Sequence, residues 1–131
     1  MKLIEEITLA NGLKLNVFDL SRAIAADTVK VEICIRSQID LRESYFRNPR
    51  DFDQMKKKFG AGFPYIYRMK RSFVAAKNHD LVREELLAAF KKNSLCYLST
   101  ADFPQKAALA ALRDLQKNLH KYQASPEKKY D

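Results

Sequence analysis

The sequence predicts an α+β fold, and three observations carry that assignment. Residues 1–40 alternate apolar and polar side chains around an Asn-Gly turn. "NPRDFDQMKKKFG" joins a helix N-cap, a single apolar stripe and a terminal glycine. The last third carries apolar residues at steps of three and four. The expected order is β-β-β-α-β-α-α: an N-terminal three-stranded antiparallel meander, a short helix, a fourth strand and a C-terminal helical pair. The 131 residues, 47% of them apolar, fit one domain. We place it at 1–122, with "QASPEKKYD" from 123 as a flexible tail.

The first two strands flank Asn11-Gly12, and their register follows from which side chains must share a face. A two-residue turn would put the two apolar sets on opposite faces, since a one-residue slip inverts every side chain. A three-residue loop, Ala10-Asn11-Gly12, pairs Leu9 with Leu13 and Ile7 with Leu15, and brings both sets to one face. That loop needs Gly12 left-handed in a bulge. The alternation changes phase near Val17-Phe18, which marks an irregularity there. "SRAIAAD" reads as a loop. In the third strand Val29, Val31, Ile33 and Ile35 form the inward face, with Lys30, Glu32, Cys34 and Arg36 opposite.

Asn48 and Pro49 suit the cap and first position of a helix over 49–59, with Phe52, Met55 and Phe59 on one stripe. Asp51 and Asp53 lie early and Lys56, Lys57 and Lys58 late, the order the helix dipole favours. Gly60 suits the stop. A strand follows, started by Pro64, with Tyr65, Tyr67, Met69 and Phe73 inward and Ile66, Arg68, Lys70 and Ser72 outward. The next helix opens at Asn78 or Asp80, buries Val82, Leu86, Ala89 and Phe90, and stops near Asn93. Asp102 and Gln105 have the spacing of a capping box before the last helix. Ala108, Leu112, Leu115, Leu119 and Tyr122 then make a heptad-like seam, which packs inside the fold or forms a dimer contact.

The net charge of +8 is uneven. Residues 1–40 hold five basic and six acidic side chains, and the remainder nineteen and ten. No acid lies between Asp53 and Asp80, a field that attracts polyanions. Lys56, Lys57, Lys58, Arg68, Lys70 and Arg71 are therefore the candidate polyanion-binding residues, and the outer sheet face combines Lys14, Lys30, Arg36, Arg68 and Lys70. Base reading is not expected. "KFGAGFPYIY" lacks the glycine-aromatic order of RNA-recognition strands, and its aromatics face away from its cations. Gly60 and Gly62 follow a helix and precede a strand, the reverse of a nucleotide-binding loop.

Chemistry has little support. Cys34 sits on a polar strand face, Cys96 reads as a small buried apolar residue, and His79-Asp80 reads as a capping pair. With His120 these make no metal spacing, and no cofactor is expected. No apolar run is long enough to cross a bilayer and no signal-peptide pattern opens the chain, which points to the cytoplasm. The expectation is a non-catalytic interaction module for a protein partner or for a second copy. Sequence-nonspecific nucleic-acid or other polyanion binding is the alternative, and an enzyme without a recognisable motif the next.

Overall fold

Five strands and three α-helices follow one another in the computed structural model, which describes the backbone of residues 1–123 and side chains to residue 118. The strands are β1 (Lys2–Thr8), β2 (Lys14–Asp19), β3 (Arg22–Ala25), β4 (Thr28–Asp40) and β5 (Gly62–Ala75). The helices are α1 (Pro49–Phe59), α2 (His79–Leu98) and α3 (Phe103–Gln123). The fold is α+β around an antiparallel sheet, with the N-terminal meander as expected. Residues 124–131, the rest of the expected tail, lie outside the described residues.

The chain forms two compact units. The first comprises Met1–Gln38 and Pro64–Phe103 and contains most of the sheet with α2. Its β1–β2 hairpin has the register that face-matching demands. Ile7 pairs with Leu15, Leu9 N donates to Leu13 O at 2.8 Å, and Gly12 adopts φ +91°. The phase change at Val17-Phe18 is absorbed by a bulge in β1, between Leu3 and Glu5, directly opposite those two residues.

The segment "SRAIAAD" is not a loop. β3 continues β2 along the same edge of β4. Asp19 pairs with Ile33 and Arg22 with Lys30, so the partner numbers add to 52 on both sides of the break. Between them Leu20 N donates to Glu32 O and Glu32 N donates to Ser21 Oγ, so a side chain substitutes for one rung of the ladder. Ala-rich β3 lacks the alternation that identifies a strand, and its pairing comes from register inherited from β2.

Of the expected inward face of β4, Val31, Ile33 and Ile35 are fully buried, each worth about 1.5–3 kcal/mol, and Val29 is half-buried. Cys34, on the other face, is also fully buried. It lies opposite Phe18 and between Glu32 and Arg36, and Arg36 sits over the Phe18 ring at 5.9 Å.

α2 lies across the inner face, tied at several points. Glu5 accepts from Lys91 Nζ at 2.8 and 3.0 Å, Tyr67 meets Phe90 at 5.9 Å, and Asn11 Nδ2 donates to Leu98 O at 2.7 Å. These contacts and the buried Leu98 carry the helix past Asn93, where the sequence suggested a stop. Within it Leu86 and Phe90 are buried as expected, but Leu87 takes the buried place assigned to Ala89. Cys96 is exposed rather than buried.

β5 begins at Gly62, so Pro64 lies inside the strand. A missing donor is tolerated there because, among the described residues, β5 pairs with β4 alone and is an edge strand. Tyr65 and Tyr67 turn inward, Tyr65 edge-on to Phe103 at 5.6 Å. Phe73 does not: it is 81% exposed, with φ +59°. That left-handed residue breaks the alternation and ends the inward stripe.

In the second unit, Ile39–Phe63 with the segment from Pro104 onward, α1 has the expected bounds. Asn48 Oδ1 accepts from Asp51 N at 3.0 Å and Gly60 adopts φ +77°. Gln105 donates to Tyr45 O at 3.3 Å, a tie to the segment before α1.

Candidate functional site

Strand alternation places Lys30 and Glu32 of β4 on the outer face of the sheet. The continuous β2–β3 register brings Leu20 and Arg22 beside them on one side, and β5 brings Arg68 and Lys70 on the other. Together these six residues line a shallow cleft of about 450 Å³. Glu32 is its one carboxylate, against four cations. Lys30 Nζ lies 3.4 Å from Glu32 Oε1 and Arg68 Nη1 3.8 Å from Oε2. Glu32 is only 14% exposed while Arg68 is 55% exposed. The carboxylate is used up from below, and the guanidinium retains most of its donors toward solvent. The cleft therefore carries a formal excess of three positive charges on a surface that can accept carboxylate or phosphate oxygens.

The candidate cations from sequence divide among three places. Arg68 and Lys70 enter the cleft. Arg71 alternates to the opposite face of β5. Lys56, Lys57 and Lys58 lie exposed in the last turn of α1, in the other unit, with Lys56 Nζ 5.9 Å from the Phe52 ring centre. Of the outer-face set, Lys30, Arg68 and Lys70 line the cleft, and Lys14 and Arg36 lie outside it. Arg22 is the cation that sequence reasoning missed, because "SRAIAAD" shows no strand pattern that would assign it a face. In the seam, Ala108 and Leu112 are buried and Leu115 is half-buried. The side chains of Leu119, His120 and Tyr122 lie outside the described ones.

A second cluster forms where β2 ends against the start of α2. His79 Nε2 is 3.5 Å from Asp19 Oδ2, and Arg83 Nη1 is 3.6 Å from the same oxygen. His79 Nδ1 and Arg83 Nη2 also face Asp80 Oδ1, at 3.9 and 3.6 Å. Ser21 N donates to Asp19 Oδ1 at 2.8 Å. Burial acts to raise the Asp19 carboxyl. The Ser21 hydrogen bonds and the His79 and Arg83 charges outweigh it and hold the group below the ordinary carboxylate value. This corrects the capping assignment: Asn78 makes no side-chain cap bond, and His79 reaches across to β2.

The cysteines do not join that cluster. Cys34 is buried on β4, and Cys96 is exposed 17 residues along α2 from His79, about 26 Å at the helical rise. Among the described residues no group of three or more His, Cys, Asp or Glu side chains is arranged to hold a metal ion, and no helix is long and apolar enough to cross a membrane. No protein-family model, curated protein or solved structure matches the chain.

Proposed function

We propose that this protein is an interaction module whose partner is an acidic protein segment, held on the outer face of the sheet. The observation that carries the proposal is the cleft in which Arg22, Lys30, Arg68 and Lys70 surround a single, already neutralised Glu32. Four cations drawn from three strands form a focused field, which guides an anionic partner and sets its orientation more than it sets raw affinity. We infer the cytoplasm as the compartment for this role.

A second reading has one observation in its favour: the same excess charge can hold nucleic-acid phosphates without regard to sequence. Base stacking does not support it, because Tyr65 and Tyr67 are engaged with Phe103 and Phe90 on the face opposite the cations. Fluorescence anisotropy with a labelled poly-glutamate peptide, RNA and DNA at 50 and 200 mM salt distinguishes the two. Peptide binding that weakens as salt rises is the expected result. Binding of RNA and DNA alone would transfer the site to nucleic acid, and binding of none at low salt would remove both readings.

A further inference from the structure

We propose that the acidic partner binds as an added strand on the free edge of β5, an inference that rests on the partner class proposed above. Among the described residues β5 pairs with β4 alone, and Ile66, Tyr67, Arg68, Lys70, Arg71 and Ser72 are all exposed. Two features bound this window. Pro64, which has no N–H, closes one end, and at the other the left-handed Phe73, still within β5, interrupts the alternation. Between them lies roughly 23 Å of extended backbone from Ile66 to Ser72.

Pro64 also fixes which backbone groups are available. A proline inside a paired strand is harmless only where its missing donor faces away from the neighbour. With a period of two, Ile66, Arg68 and Lys70 then share its orientation and direct their N–H and C=O groups outward. An unpaired row of this kind is a template for strand addition.

The side chains select the occupant. A second copy is disfavoured: antiparallel pairing of two β5 edges centred on Met69 sets Arg68 opposite Lys70 of the other copy, and like charges directly opposed are destabilising. An acidic extended segment reverses that sign. Its alternate side chains reach Arg68 and Lys70 on the cleft side, and the others face Arg71. The cleft lies against the same strand, so edge and charge act on one ligand.

The test uses the full chain with labelled RNA, labelled DNA and a labelled twelve-residue Glu-Thr alternating peptide, the last compared with the same peptide N-methylated at every residue, because alternate N–H groups of a strand point to opposite edges. Methylation removes backbone donors and leaves every charge in place. The expected result is binding of the parent peptide and a loss of tenfold or more on methylation. Ile66→Pro removes one outward N–H without altering charge and is expected to weaken the parent peptide roughly tenfold, the equivalent of one hydrogen bond. Equal binding of both peptides would overturn strand addition and leave the acidic-partner reading standing. Binding of RNA or DNA with neither peptide bound would overturn both in favour of phosphate binding. No binding by any probe at low salt would overturn the reading itself.

Discussion

The Asn11 side chain makes three hydrogen bonds: Nδ2 donates to Leu98 O and Thr100 O at 2.7 and 2.8 Å, and Oδ1 accepts from Leu13 N at 3.1 Å. One residue therefore both shapes the first turn and fastens the end of α2. Asn11→Asp keeps the acceptor and removes the donors, leaving two carbonyls facing a carboxylate. It should cost about 1–3 kcal/mol in urea unfolding; a change under about 0.5 kcal/mol would contradict the clamp. Asp19 makes a pH prediction. Its folded-state pKa lies below the unfolded value, so the unfolded chain binds more protons in that window and stability rises with pH there. The contribution is fully present above the unfolded value and is lost as pH falls through the lowered one. Unfolding midpoints between pH 7 and 2.5 should fall less steeply for Asp19→Asn than for the parent; parallel curves would contradict it. The turn role of Asn11 was legible in the sequence from its neighbour Gly12 and the flanking alternation. Its second role was not, nor was the Asp19–His79 contact, because only the folded chain brings such distant positions together.

At the scale of elements, local chemistry was readable wherever it determined the outcome. Asn48, Pro49, the Asp-to-Lys charge order and Gly60 together fix α1, and the one-residue inversion rule fixes the β1–β2 register. The misreadings fall where tertiary pairing decides. β3 is a strand because β2 delivers it in register, and α2 passes Asn93 because Leu98 and Asn11 hold its end. Two backbone positions test the strained turns. An added Cβ at Gly12 meets nothing within 4 Å, so Gly12→Ala isolates the conformational penalty and should cost about 1–2 kcal/mol. Phe73→Gly should do the opposite. The exposed ring loses little burial, and relief at φ +59° exceeds the added chain entropy of glycine, for a gain of about 0.5–1 kcal/mol and a higher Tm. A lower Tm would show that the Phe73 ring contributes packing that its exposure does not suggest.

For the whole molecule, the uneven charge was legible as an acid-free interval, but not the place where it acts. That interval supplies only Arg68 and Lys70 to the cleft, and Arg22 and Lys30 come from the weakly charged N-terminal part. Sheet register, which no linear charge count contains, assembles them. Arg68→Glu with Lys70→Glu should remove the excess positive charge of the cleft, while Glu32, 14% exposed, keeps its pairing with Lys30. The measurement that tests the central claim most directly is an amide-resolved NMR titration of the full chain with poly-glutamate at low salt. The account predicts shifts at Arg22, Lys30, Arg68 and Lys70 that disappear in the double variant. Shifts confined to Lys56–Lys58, or unchanged in the double variant, would contradict it.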